Sequence, residues 1–199
     1  GFKEIHVKVF NTGKLEIPGI QSNDLLEKVL NFICNLLTHH LGKEIKIRDD
    51  STETILINSN FTSRYNIDRA KLYKRLKFHY MLNVGYDPCS YPGIQCKFYY
   101  NINKELQNGK CECDKSCYKK KKKQLNSKQT CTEISFMIFR TGSVLIVGNC
   151  NEEVLNKVYE FIKNILEKEF DEVNSNIPYV EKIKKKKEKL KKITIYTTN

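Results

Sequence analysis

What this sequence lacks removes most functional classes before any feature of its own is considered. No uninterrupted apolar stretch approaches the roughly 18–20 residues that a membrane-spanning helix requires. No charged leader followed by an apolar run opens the chain, so secretion is not expected. There is no P-loop, no G-x-S-x-G and no H-E-x-x-H, and the acidic residues are scattered without a spacing that pairs them, so nothing points to an enzyme. Acidic residues are also scarce: 23 Asp+Glu face 35 Lys+Arg, a formal net charge of +12 over 199 residues. Such an excess implies a polyanionic partner: nucleic acid, an anionic membrane surface or acidic protein. At 40% hydrophobic and 11% aromatic, the chain is rich enough to bury a real core. It opens at Gly1, without Met, on what reads as a strand, and the expectation is that further sequence precedes it.

The charge is unevenly placed. Five consecutive Lys at 119–123 and eight Lys between 182 and 192, less Glu188, account for the whole +12; the remainder carries 22 basic and 22 acidic residues. The folded part is therefore neutral and must bind by other means than bulk charge. Eight Cys, at 34, 89, 96, 111, 113, 117, 131 and 150, allow a disulfide framework by count. With no leader and a core of this size, a reducing intracellular compartment is the better expectation. Cys34 sits on an apolar helical stripe and reads as a buried thiol. Cys111, Cys113 and Cys117 lie in a low-complexity insertion at 102–130. Zinc takes four ligands in a tetrahedron and favours thiolate, so these three are candidate zinc ligands, with Cys96 or Cys131 at the insertion's root as a fourth. Thiols on an open loop without metal are the alternative, and no other cofactor is called for.

The most informative feature is internal. Sliding the chain by 129 residues sets 6–37 against 135–166 without a gap, with twelve identities over 32 residues. They include Phe10/Phe139, Gly13/Gly142, Gly19/Gly148, Phe32/Phe161 and Leu37/Leu166. Two unrelated amphipathic helices do not also align both glycines and the turn. Each copy reads as a strand ending in Phe, a Thr-Gly turn whose Gly takes the positive φ of a hairpin, a second strand (15–18, 144–147) and a capped helix. Between the copies, 53–61 and 92–101 read as strands and 66–80 as a helix; an ITIYTT strand is expected near the C-terminus.

These residues resemble the TATA-box-binding protein family. Val9-Phe10-Asn11-Thr12-Gly13-Lys14 and Ile138-Phe139-Arg140-Thr141-Gly142 are similar to its strand-ending Ile-Phe-x-Ser-Gly-Lys. Val147-Gly148 through Asn151-Glu152-Glu153 is similar to its Thr-Gly-Ala-x-Ser-Glu-Glu helix entrance. Tyr86-Asp87-Pro88-Cys89-Ser90-Tyr91-Pro92-Gly93 is similar to its stirrup, Tyr-Glu-Pro-Glu-Leu-Phe-Pro-Gly. The likeness covers about 5–38 and 53–170. It implies an α+β fold in which two pseudo-repeats form one curved antiparallel sheet, a saddle, with helices on its convex face. By this alignment 1–40 is the second half of a first repeat, incomplete in this chain, 41–52 a linker, 53–170 a second repeat with its insertion, and 171–199 a basic tail. The Lys- and Asn-rich insertion and tail resemble those of factors from large nucleocytoplasmic DNA viruses with AT-rich genomes.

The resemblance implies a monomeric, non-enzymatic transcription initiation factor. It would bind and bend AT-rich promoter DNA through the minor groove and recruit transcription factors or RNA polymerase subunits, without a membrane partner. The host nucleus or a cytoplasmic virus factory would be its place, with packaging in the virion a further expectation. Apolar wedges pushed between base steps do the bending in such proteins; the matched positions are Phe10, Tyr91 and Phe139. Met137, Leu145 and Val147 match the groove floor, Asn58 or Asn60 the family's central Asn, and Lys14 and Lys97 its phosphate contacts. Asp87, Cys89 and Ser90 occupy the partner-binding stirrup, where only Asp87 keeps an acidic charge. Glu16 and Pro18 stand where the first repeat should touch the groove and do not suit it. They motivate a second reading: a protein-interaction module of a viral transcription complex that touches DNA non-specifically through its lysine-rich segments.

Overall fold

The computed structural model describes residues 4–49, 51–113 and 131–180. Both lysine runs, Cys117 and the ITIYTT segment lie outside them. The chain divides into two compact units, Gly1–Glu53 and Thr54–Asn199. Among the described residues no helix is long and apolar enough to cross a membrane.

The first unit holds strands β1 (Lys8–Val9) and β2 (Leu15–Glu16), paired antiparallel, and helix α1 (Asn23–Leu41). The turn between the strands closes with Phe10 N donating to Lys14 O at 2.9 Å and Gly13 N to Phe10 O at 2.9 Å, with Gly13 at φ +80°. Ser22 caps α1 by accepting from Leu25 N, and Gly42, in the left-handed region at φ +62°, ends it. No residue of α1 is fully buried. Cys34, expected in a core, is only half-buried, because strands of two residues cannot cover a helix of nineteen.

The second unit is built on a five-stranded antiparallel sheet in the order β3-β7-β6-β5-β4. Its strands are β3 (Ile57–Thr62), β4 (Asn83–Gly85), β5 (Ile94–Asn101), β6 (Cys131–Ile138) and β7 (Ser143–Gly148). One face is apolar and closed: Cys96, Phe98, Ile134, Phe136, Ile138, Val144 and Ile146 are buried there. Helix α3 (Glu152–Lys168) lays Val158, Ile162, Ile165 and Leu166 on that face, as its three-and-four spacing predicts. Phe98 meets Phe161 edge-on with ring centroids 5.0 Å apart. The sheet is thus backed by helices on one side, and the architecture is α+β.

The turn at Thr141-Gly142 repeats the bonds of the first unit, with Phe139 N to Ser143 O at 2.9 Å and Gly142 N to Phe139 O at 3.0 Å. Asn151, 129 residues after Ser22, caps α3 by accepting from Val154 N at 2.9 Å. Gly142 carries a burden that Gly13 does not. A Cβ there would stand 2.3 Å from Tyr65 O, while one at Gly13 would meet nothing within 4 Å.

The helix expected over 66–80 is shorter and changes pitch. Helix α2 (Arg69–Lys74), capped by Asp68, passes into a π-helical turn at Arg75–His79. The wider turn lets Arg75 and Tyr80 reach one buried carboxylate. Arg75 donates to Glu169 through Nε at 2.5 Å and Nη2 at 2.9 Å, and the Tyr80 hydroxyl donates at 2.8 Å. The Arg75 hydrogen bonds hold the Glu169 carboxyl below its ordinary range, and burial pushes the Tyr80 hydroxyl up to about 12. Glu169 joins α3 to the short α4 (Phe170–Val173), so this cluster ties α2 to the end of the helical layer.

Candidate nucleic-acid interface

Side chains two apart on a strand share a face, so the register fixes what the sheet presents away from the helices. β3 pairs with β7 such that Asn58 faces Val147 and Asn60 faces Leu145. β6 pairs with β7 such that Met137 faces Leu145 and Ser135 faces Val147. β5 pairs with β6 such that Gln95 faces Met137 and Lys97 faces Ser135. Asn58, Asn60, Lys97, Met137, Leu145 and Val147, scattered over ninety residues of sequence, therefore stand on one open face. Leu145, Val147 and Met137 are half-buried and form its floor; Asn58 and Asn60 are exposed on the edge strand β3.

Tyr91 and Phe139 meet at the end of this face. Their ring centroids lie 6.0 Å apart at 58°. Extending the β5–β6 register by one step sets Phe139 opposite Gly93. A Cβ on Gly93 would stand 3.0 Å from each ring, so the missing side chain makes the space in which both rings lie. Neither is in the main buried core. Two large aromatics are thus held side by side, half-exposed, where strand gives way to turn.

Three expected roles look different in place. Lys97 is ion-paired with Glu133, on the same face of the neighbouring strand, so its charge is partly neutralised. Lys8 and Glu16, directly opposite in the β1–β2 register, form an ion pair at 2.7 Å; Glu16 is thereby compensated locally. The Asp87 carboxylate accepts from Cys89 N at 3.1 Å and from the Ser90 hydroxyl. These bonds, that to Ser90 foremost, lower its pKa, and they make Asp87, Cys89 and Ser90 one compact turn. Phe10 and Lys14 flank the first unit's turn, with Phe10 46% exposed.

Gln95, Ser135, Glu133 and Ser143 share the open face as well, although no motif marks them in the sequence. Stepping by two from Lys97 and Met137 finds the first three. Strand β4 is not foreseen either, since its three residues carry no periodic signal. Part of the segment expected as an insertion is built into the fold. Residues 102–113 turn back on β5, with Tyr99 N donating to Gly109 O at 3.1 Å and Asn101 N to the Gln107 side chain at 3.0 Å. The loop brings Cys111 and Cys113 to Cys131.

The second unit is thus an antiparallel sheet backed by helices on one face, with an apolar floor bordered by small polar side chains on the other. No family model matches the chain. It is similar to a protein of Acanthamoeba polyphaga mimivirus named TATA-box-binding protein-like, with 25% identity over 181 residues, 85% of this chain and 44% of that protein. The likeness carried by the sequence motifs, and its viral character, thus extend to a known viral protein along most of the chain. The chain spans less than half the length of that relative.

Proposed function

We propose that this chain is a TATA-binding-protein-like transcription initiation factor. Its open sheet face lies along the minor groove of AT-rich DNA and bends it, and its other surfaces recruit the polymerase machinery. The observation that carries this reading is the open face itself: an apolar floor of Met137, Leu145 and Val147, flanked by Asn58 and Asn60 and ended by the Tyr91–Phe139 pair. In the minor groove A·T pairs offer only acceptors, and G·C adds a protruding amino donor. Asn amides donate to the former, and a close apolar floor rejects the latter. The aromatic pair is placed to enter a base step, where unstacking costs a few kcal/mol and a bent duplex offers a larger binding surface in return. In this reading 53–170 is one repeat of a saddle, the hairpin and helix of the first unit are the matching half of another, and Phe10 and Lys14 work as their counterparts do. The Asp87–Ser90 turn and the outer face of α3 are the surfaces offered to transcription factors, and no catalytic activity is expected.

The test is fluorescence anisotropy together with end-to-end energy transfer on a doubly labelled AT-rich duplex, using the full chain. Phe139→Ala and Tyr91→Ala should each weaken binding roughly fivefold or more, about 1–3 kcal/mol, and reduce the bend. If both leave affinity and bend angle unchanged, the wedge mechanism is wrong.

A second reading is favoured by the Lys97–Glu133 and Lys8–Glu16 pairs, which remove phosphate-seeking charge from the strands. The sheet would then be a protein-interaction surface, with DNA touched only by the lysine runs. Its signature is binding that ignores sequence, falls steeply with salt and vanishes when 119–123 and 182–192 are deleted. Sequence-preferring binding by the deleted chain rules it out.

A further inference from the structure

We propose that Cys111, Cys113 and Cys131 form a thiolate site for a zinc ion, built where the insertion leaves and rejoins the sheet. The three sulfurs lie within 4.8 Å of one another, and Cys113 Sγ is 3.5 Å from Cys131 Sγ. Thiolates bound to tetrahedral zinc at about 2.3 Å stand about 3.8 Å apart, so little movement separates this arrangement from a coordinating one. A disulfide uses two sulfurs and gives no reason for the third.

The cluster is positioned by bonds other than those of its thiols. Cys131 opens β6 opposite Asn101 and is buried with Tyr99 in a small apolar cluster apart from the main core. The return loop is fastened to β5 by Tyr99 N to Gly109 O, and by Gln107, whose side chain accepts from Asn101 N and donates to Asn101 O at 2.8 Å. Gly109, at φ +75°, turns the chain in a space where a Cβ would meet Leu82 and Phe98 at 3.0 Å. Lys110 N donates to Asn108 Oδ1 at 2.9 Å, and Glu112 is engaged by Lys104 and Asn108. The loop therefore delivers Cys111 and Cys113 to Cys131 through its own bonds.

The donor set selects the ion. Three sulfurs with no carboxylate among them suit a soft, thiophilic cation and not calcium or magnesium. Each thiol gives up its proton on binding, so affinity falls in acid. Bound metal would tie the residues on either side of the segment 114–130, which carries the 119–123 lysine run, to the ends of β5 and β6 where they pair at Asn101 and Cys131. Spacing offers Cys111, Cys113 and Cys117 with Cys96 or Cys131 as a fourth; the structure brings Cys131 to Cys111 and Cys113 and keeps Cys96 in the main core, while Cys117 lies outside the described residues.

The full chain, purified under reducing conditions with zinc and washed with a weak chelator, is assayed for metal by mass spectrometry. Stoichiometric zinc is expected, at least tenfold reduced in Cys111→Ser, Cys113→Ser and Cys131→Ser and unchanged in Cys34→Ser. Should a serine variant fail to fold, the unsubstituted chain loaded with cobalt is expected to show the intense thiolate-to-metal charge-transfer band of a multi-sulfur site. Absence of that band, zinc retained by Cys131→Ser but lost in Cys117→Ser, or a Cys113–Cys131 disulfide in the intact mass of the chain as purified would overturn the proposal.

Discussion

At the scale of single residues, the same amino acid does different work in matched positions. Gly13 and Gly142 hold equivalent turns at φ +80° and +76°, but only Gly142 lies against the backbone of Tyr65 and the side chain of Ser63. Gly13→Ala should cost only the left-handed strain, about 1–2 kcal/mol. Gly142→Ala adds a clash with a carbonyl that cannot retreat, and should cost roughly 3 kcal/mol or more. Chemical denaturation of the two variants measures the difference, and equal losses would mean that the turn at Gly142 relaxes. Gly93→Ala makes a different point. Its methyl group presses on the Tyr91 and Phe139 rings, which are side chains outside the main core and not backbone. Stability should change little, while DNA bending falls.

At the scale of elements, periodicity identified the helices and the turns but not what covers them. The stripes of α1 and α3 align in sequence, and the caps Ser22 and Asn151 sit at matched positions. Yet α3 buries four residues against five strands, and α1 buries none, leaving Phe32 65% exposed. A stripe states which face is apolar; the sheet that meets it is assembled from distant sequence. The open face was legible in part from alternation, which carries Phe139 to Met137, and in part from the family likeness, which supplied Leu145 and Val147. Asn58 and Asn60 needed the β3–β7 register, which no spacing within β3 supplies. The Lys97–Glu133 pair was not readable, because it depends on strand pairing across the insertion; Cys131 was one of two candidates to join Cys111 and Cys113, and the same pairing is what selects it over Cys96. The α2 end shows how a helix can depend on one distant carboxylate. Glu169→Ala should lower stability by roughly 2 kcal/mol by orphaning the Tyr80 hydroxyl and the Arg75 guanidinium. Because the folded-state pKa of Glu169 is depressed, its contribution is present above the ordinary carboxylate value of about 4.3 and is lost as the pH falls through the lowered one. Thermal melts of the parent chain should drop below about pH 4, and those of Glu169→Gln should drop less steeply.

At the scale of the whole molecule, the proposed function assigns affinity for DNA and sequence specificity to different parts. The two lysine runs hold the entire net charge, while the charges on the open face, Lys97 and Glu133, are paired. Deleting 182–192 should therefore weaken DNA binding evenly across sequences and flatten its salt dependence by about 0.9 in slope for each phosphate no longer neutralised, leaving the preference for AT-rich DNA in place. One substitution in the DNA tests that preference, and with it the sheet's part in reading the groove, most directly. Replacing A·T by inosine·cytosine pairs changes the major groove and leaves the minor groove without the amino group that marks G·C. Binding by the full chain should survive this replacement and fall about tenfold or more when the same pairs become G·C. Loss of binding on the inosine duplex, or equal binding to all three, would contradict minor-groove reading by the sheet.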